Sequence, residues 1–122
     1  MLDVASVMRE VGHRLGAGRL DLPVGGQSLL LLDDEHHLLL DHRPEIGAVY
    51  LRLLMRIPPK TDHELGALYR SLLEANGPGG RNAGAVLAID AAQELLELQA
   101  RLPVRTVSPE RVIARIETMR GA

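Results

Sequence analysis

Hydrophobic residues near the middle of the chain fall into three short runs that polar residues separate. The runs cover residues 29–32, 37–40 and 48–57. Runs of this length with turn-forming residues between them predict consecutive antiparallel strands. In the third run, Val49, Leu51 and Leu53 alternate with side chains such as Tyr50 and Arg52, which predicts a strand with two different faces.

The first two runs differ from the third because they place leucine on both faces of the predicted strands. A strand in a small sheet usually has one face in water, so leucine on both faces indicates that both faces are covered. The sequence does not decide which leucine of each adjacent pair faces the core, because a one-residue slip in register exchanges them.

Three further segments have the spacing of amphipathic helices, with a hydrophobic residue every three or four positions. They cover residues 1–16, 61–76 and 108–119. The second segment begins with a capping box formed by Thr61 and Glu64, and Asn76 and Gly77 end it. In the third segment Ser108 is the predicted N-cap, and a proline takes the first helical position.

Two more strands are predicted over residues 85–89 and 94–102, and the second of these alternates between apolar and polar side chains. The predicted order is helix, three strands, helix, two strands, helix. This order predicts an α+β fold in which helices flank a twisted antiparallel sheet. We expect residues 1–122 to form a single domain, because a chain of this length can bury one core.

The helical stripes and the two-sided leucine strands together offer more apolar surface than a domain of this size easily buries. Burial of apolar surface is worth ~25 cal/mol per Å², so several exposed leucines would cost several kcal/mol. That cost is a large share of a typical stability of roughly 5–15 kcal/mol. The sequence therefore predicts self-association or the binding of a partner.

Composition narrows the classes of function. The chain has two tyrosines, no phenylalanine, no tryptophan and a net charge of −2, so aromatic platforms for base stacking are nearly absent and no basic footprint for nucleic acid is visible. The absence of cysteine excludes disulfides and thiolate metal sites. No segment resembles a signal peptide or is long enough to span a bilayer, so we expect a cytoplasmic protein that binds neither nucleic acid nor membrane.

Three histidines, His36, His37 and His42, lie near acidic residues at the two predicted turns between the first three strands. One hypothesis is a metal-binding or small-molecule-binding α+β domain that uses these side chains. The favoured interpretation is a solvated acidic turn that keeps a sheet edge from pairing. No serine–histidine arrangement and no Gly-x-Ser-x-Gly motif indicates a nucleophile, so we expect no catalytic residue, no metal and no cofactor.

Several segments together resemble the class I type III secretion chaperones, the Tir chaperone (CesT-like) family. The second helix ends in the sequence LLEAN over residues 72–76, and a glycine-rich loop over 77–84 follows. A short strand over 86–90, an apolar strand over 94–102 and a C-terminal helix from Ser108 complete the resemblance. It covers nearly the whole chain.

This resemblance implies a bacterial cytoplasmic homodimer without enzymatic activity. It implies binding of the N-terminal chaperone-binding segment of an effector, which stays partly unfolded and competent for secretion. The secretion ATPase is a further candidate partner. A structural subunit of some other assembly is the remaining alternative, with a permanent partner over the apolar surface.

The resemblance also assigns site residues, on the first helix and the strands for the effector and on the second helix and later strands for the dimer. The predicted effector-binding residues are Val4, Val7, Met8, Val11, Leu30, Leu32, Leu38 and Leu40. The predicted dimer-interface residues are Leu65, Leu68, Tyr69, Leu72, Leu96 and Leu98. Apolar grooves of this kind accept a helix or an added strand from a partner.

Overall fold

The computed structural model describes residues 3–57, 61–76, 85–90 and 94–120. The helices within these residues are α1 (Val4–Arg14), α2 (Asp62–Ala75) and α3 (Pro109–Arg120). The strands are β1 (Gln27–Leu31), β2 (His37–Arg43), β3 (Ala48–Arg56), β4 (Val86–Asp90) and β5 (Leu95–Pro103). Their order along the chain is α1, β1, β2, β3, α2, β4, β5, α3, which confirms the predicted α+β fold.

The five strands form one antiparallel sheet in the spatial order β1-β2-β3-β5-β4. The first three strands are neighbours in space as they are in sequence. A short 3-10 turn over Pro44–Ile46 joins β2 to β3, and Gly47 follows it in the left-handed conformation with φ 63°. Glycine adopts this conformation without the steric cost that a side chain would add.

The core lies on one face of the sheet, where α1 and α3 pack, and we call this the inner face. The strands supply inner-face residues at every second position, as the alternation of the third hydrophobic run predicts. The large side chains that are fully buried on the inner face of β2 and β3 are Leu38, Leu40, Val49, Leu51 and Leu53. The buried residues of the two helices are Val4, Val7, Met8, Val11, Gly12, Pro109, Val112, Ile116 and Met119.

The register between β1 and β2 decides the orientation of the leucine pairs. Leu30 lies opposite Leu38, and both are buried on the inner face. Leu29 and Leu31 consequently point to the opposite, outer face of the sheet, where their side chains are 58% and 65% exposed. One face of β1 is therefore covered by the core, and the other is open.

Helix α2 stands apart from this core. The predicted capping box is present, because Thr61 Oγ1 accepts the Glu64 N–H at 3.2 Å and the Glu64 side chain accepts the Thr61 N–H. None of the residues of α2 is buried, and its main contact with the rest of the described chain is with β4. The helix is well capped but poorly covered.

The predicted boundaries need small corrections. The first helix ends at Arg14 instead of Gly16, because Gly16 takes a left-handed conformation. Asp90 is the last residue of β4, although it was expected in the following turn. The predicted loop over 77–84 and the rest of the predicted turn over 91–93 lie outside the described residues.

Candidate partner-binding surfaces

The residues predicted to contact an effector lie in the core of this structure. Seven of the eight side chains are 8% exposed or less, and Leu32 is partly buried against the same cluster. The buried seven are Val4, Val7, Met8, Val11, Leu30, Leu38 and Leu40. The physical reason is that the apolar stripe of α1 and the inner leucines of β1 and β2 hold the helix on the sheet. The structure brings these residues together but does not expose them to a partner.

The leucines that alternate with them form an exposed apolar surface. Leu29 pairs with Leu39 across β1 and β2, and Leu31 lies two residues further along the same face. Leu39 is half-buried. We call Leu29, Leu31 and Leu39 the β1 patch. It lies on the outer face, opposite the core, and at the edge of the sheet.

The backbone of β1 is also open at this edge. The His42 N–H donates to the Gly26 carbonyl at 3.0 Å, and the Leu32 N–H donates to the His36 carbonyl at 3.0 Å. These bonds fix which residues of β1 face β2, because hydrogen-bonded pairs alternate along an antiparallel ladder. The N–H and C=O groups of Gln27, Leu29 and Leu31 therefore point away from β2, toward the free edge.

A polar belt crosses the outer face beyond the β1 patch. The Arg52 guanidinium donates to the carboxylate of Glu97, which also accepts from Gln99 Nε2 at 3.0 Å. This hydrogen bond to Glu97 raises the pKa of Arg52. Arg43 Nε donates to Asp41 Oδ2 at 2.9 Å in the same belt. These charged side chains pair with one another, and the belt that they form separates the apolar surface at the β1 edge from that at the β4 edge.

The second apolar surface follows α2. Leu65, Leu68, Tyr69 and Leu72 share one side of the helix, and we call them the α2 stripe. The three leucines are half-buried and Tyr69 is 43% exposed. Val86 of β4, the strand that α2 contacts, adds an outer-face side chain that is 56% exposed.

The two other predicted dimer residues do not lie on this surface. Leu98 is 2% exposed and faces the core, and Leu96 is half-buried on the same inner face. Both side chains point inward because they lie at the same alternate positions of β5 as the buried Ala100, on the face where α1 and α3 pack. The structure therefore groups the four residues of the α2 stripe and leaves Leu96 and Leu98 apart from them.

The histidines of the predicted turns do not converge. His36 Nδ1 lies 2.9 Å from Asp33 Oδ1, whereas His37 is exposed and His42 is buried on another part of β2. The pKa of Asp33 is lowered to about 2, chiefly because its carboxylate accepts the Glu35 N–H and then because it bonds the His36 ring. Among the described residues, no group of three or more His, Cys, Asp or Glu side chains could hold a metal ion.

Residues 7–119 match the Tir chaperone protein (CesT) family. The chain belongs to this family. The resemblance predicted from the sequence is therefore confirmed, and so is the predicted class of function, an effector-binding chaperone of type III secretion. A comparison with curated protein sequences finds no match.

Solved structures of low sequence identity share the fold of this CesT-family chaperone. A chain of the ExsC–ExsE complex is 16% identical with a TM-score of 0.68, covering 98% of this chain and 90% of its own. A chain of the HopA1–SchA chaperone–effector complex is 19% identical with a TM-score of 0.65, covering 95% and 89%. A chain of the complex between the Yersinia pestis type III secretion chaperone SycH and a stable YscM2 fragment is 15% identical with a TM-score of 0.69, covering 96% and 93%.

The sequence of this CesT-family chaperone did not decide which leucines of the first two runs are exposed. Leu29, Leu31 and Leu39 belong to the same two leucine runs as the predicted residues and alternate with them. The runs signal a strand with apolar residues on both faces, but only the register tells which leucines are inside.

In the described part of the chain, no helix is both long and apolar enough to cross a membrane.

Proposed function

We propose that this chaperone is a cytoplasmic homodimer without enzymatic activity, which holds the N-terminal segment of an effector in an extended state at the edge of β1. The observation that carries the proposal is that exposed leucines lie on one strand together with backbone groups that have no partner among the described residues. The second copy is proposed to cover the α2 stripe. The secretion ATPase remains a predicted further partner.

The backbone of β1 supports strand addition. An extended segment laid beside β1 can exchange hydrogen bonds with Gln27, Leu29 and Leu31, whose N–H and C=O groups point outward. These bonds depend little on the sequence of the client. An unfolded segment is suited to this role because its own backbone groups are still unpaired.

The β1 patch supports selectivity for apolar side chains. In an added strand, every second side chain lies on the outer face, beside Leu29 and Leu31. Covering the exposed part of these two leucines is worth about 1–2 kcal/mol each at ~25 cal/mol per Å² of apolar surface. The buried residues of α1 and the inner leucines act indirectly in this proposal, because they fix the position of β1.

The isolation of α2 supports the homodimer. A helix of 14 residues is marginal on its own and usually gains its stability from packing of its apolar face. In one copy, the described chain covers the α2 stripe only in part: its three leucines are half-buried, and no residue of α2 is fully buried. A second copy can cover it, and Val86 together with the 75% exposed Leu73 extends the surface. A permanent interface of this kind commonly buries ~2,000 Å² or more.

The effector-binding surface can be tested with a double variant, Leu29→Asp with Leu31→Asp. The chaperone is co-expressed with the N-terminal segment of a secreted protein encoded by a neighbouring gene, and the co-purified segment is quantified. We expect the double variant to lose the segment while circular dichroism and the number of copies stay as in the wild type. Charge on the patch opposes docking of apolar side chains.

Val24→Asp is the matched control, because Val24 is 80% exposed but lies in the loop before β1. This variant should retain the segment at the wild-type level. Full binding by the Leu29→Asp and Leu31→Asp double variant would show that the effector segment does not use the β1 patch.

A further inference from the structure

The end of α2 is joined to β4 by an unusual pair of hydrogen bonds. Asn76, the C-cap of α2, accepts the Leu87 N–H on its Oδ1 at 2.8 Å. Its Nδ2 donates to the Leu87 carbonyl at 2.8 Å. One side-chain amide thus satisfies both backbone groups of one residue, as the C=O and N–H of an opposite residue in a neighbouring antiparallel strand would.

The backbone groups of Leu87 that Asn76 contacts lie at the outer edge of the sheet. The Ile57 N–H donates to the Glu94 carbonyl at 2.9 Å, which sets the alternation of hydrogen-bonded pairs between β3 and β5. It follows that β5 turns its odd-numbered residues toward β4. On β4, the residues opposite them are Val86, Ala88 and Asp90, so Leu87 and Ile89 direct their backbone groups to the outer edge.

The two edges of the sheet are consequently unequal. The Asn76 amide pairs with both backbone groups of Leu87, so Ile89 is the one outward-facing residue of β4 that the amide does not reach. On β1, three residues, Gln27, Leu29 and Leu31, face outward. An added antiparallel strand needs bonds at every second residue, and a single such position does not support one.

We propose that Asn76 closes the β4 edge to strand pairing, which leaves β1 as the edge where an extended client can add. The inference rests on the proposed function, because it assigns the client to one of the two edges. The inference also explains physically why the LLEAN sequence ends in asparagine. The amide of Asn76 pairs with Leu87 as a neighbouring strand would, and a residue without an amide would leave the N–H and C=O of Leu87 without these two bonds. The α2 stripe then meets a second copy through side chains.

Three variants test the proposal. Asn76→Ala removes both bonds, Asn76→Asp keeps the acceptor for the Leu87 N–H but loses the donor to its carbonyl, and Glu74→Ala is a control at the exposed end of the same helix. Amide hydrogen exchange at Leu87 is followed by NMR, and the number of copies is measured by light scattering over a range of concentrations.

In Asn76→Ala we expect Leu87 to exchange about tenfold faster, as loss of one hydrogen bond predicts, and larger assemblies to form as concentration rises. Asn76→Asp should protect Leu87 less than the wild type but more than Asn76→Ala, because it keeps the acceptor for the N–H but sets a second carboxylate oxygen against the Leu87 carbonyl oxygen. Glu74→Ala should behave as the wild type in both measurements. Unchanged exchange in Asn76→Ala, or faster exchange without larger assemblies, would overturn the proposal.

The outcome of the Asn76 test does not depend on whether the proposed function is correct. Asn76→Ala carries an intact β1 patch, so its binding of the effector segment is measured beside the Leu29→Asp and Leu31→Asp double variant. A wild-type protein that fails to bind the segment at β1 contradicts the proposed function. The exchange of Leu87 and the growth of assemblies in Asn76→Ala still decide whether the amide closes the β4 edge.

Discussion

Gly12 lies in the last turn of α1, where the loop after the helix folds back against it. A Cβ atom built at this position would lie 2.6 Å from the Gly18 carbonyl oxygen and 2.6 Å from Leu20 Cβ. Neither neighbour can rotate away, because one is backbone and the other is attached directly to it. The absence of a side chain at Gly12 is therefore what allows the loop to pack on α1.

We expect Gly12→Ala to lower the free energy of unfolding by about 1–3 kcal/mol, even though alanine favours a helix over glycine. The overlap with Gly18 and Leu20 outweighs that preference. Urea unfolding measures the change. Gly66→Ala is the control: α2 has open space there, so this variant should be stabilised by up to about 1 kcal/mol. Stabilisation of both variants would contradict the packing argument.

Substitutions at the buried leucine and methionine positions should act through folding. Met8 and Leu40 are completely buried, and glutamate at either position places a charge in the core at a cost of several kcal/mol. We therefore expect Met8→Glu and Leu40→Glu to unfold the protein, and circular dichroism with thermal melting checks this. A variant that melts like the wild type but has lost its effector would instead place that residue at the binding surface.

Residues 29–32 mark the limit of what the sequence can predict at this scale. Four consecutive leucines predict a strand with two apolar faces, and this was correct. Their orientation depends on the pairing of Leu30 with Leu38, a contact between separate parts of the chain. Local pattern carries no information about that contact, which is why the predicted site residues were the inward-facing ones.

The tip of the β1–β2 hairpin is tied to the end of α3. Asp33 accepts the Glu35 N–H at 2.8 Å, and Arg120 Nη2 donates to its other carboxylate oxygen at 2.8 Å. The bond from Glu35, followed by that to His36, lowers the pKa of Asp33 to about 2. The ionised carboxylate is thus the form that holds the hairpin.

This clamp should make stability depend on pH in the acid range. An unfolded aspartate has a pKa of about 3.9. Because the folded pKa is lower, the contribution of Asp33 is complete above about pH 4 and is lost as pH falls toward about 2. Unfolding measured across this range should show that the advantage of the wild type over Asp33→Asn shrinks with acidity.

Asp34→Asn provides the comparison, because Asp34 is exposed and makes none of these bonds. Its stability should remain close to that of the wild type and should follow the same pH profile. An advantage over Asp33→Asn that stays constant from pH 5 to pH 2 would mean that the Asp33 carboxylate does not hold the hairpin.

The α2 stripe allows a direct test of the proposed dimer. Leu68→Glu places a charge within the stripe and should produce monomers, because a charged side chain opposes burial there. Ala67→Glu is the matched control, since Ala67 is exposed on the other side of the same helix. Light scattering gives the number of copies, and circular dichroism shows whether the fold is kept. A dimer in Leu68→Glu would rule out the α2 stripe as the interface.

The helices and strands could be predicted because their signals are local. The capping box of Thr61 and Glu64 and the N-cap of Ser108 act within one turn of helix, and both are present. The isolation of α2 could not be predicted in the same way. An apolar stripe looks alike in sequence whether its cover comes from the same chain or from a second copy.

The whole molecule keeps apolar surface outside its core, as the sequence predicted. The large exposed side chains lie on the outer face, on α2 and in the connections, and they include Leu29, Leu31, Leu73 and Val86. Together with the polar belt, they divide the outside of the molecule into a β1 surface and an α2 surface. The two proposed partners therefore do not compete for the same residues.

If a second copy covers the α2 stripe, the thermal midpoint should rise with protein concentration, because association stabilises the folded state by mass action. A roughly hundredfold range of concentration is enough to detect the shift. Leu68→Glu should lose this dependence and Ala67→Glu should keep it. A wild-type midpoint that does not move over this range would contradict a dimer that is coupled to folding.

The inner core has a mechanical consequence for loading and unloading. Its helices and strands close around one another within a single chain, so a client at the edge of β1 contributes nothing to them. Removal of a client bound there as proposed would break hydrogen bonds at the edge and leave the core contacts in place. If a client binds at the edge of β1 as proposed, the chaperone therefore keeps its folded core when that client leaves.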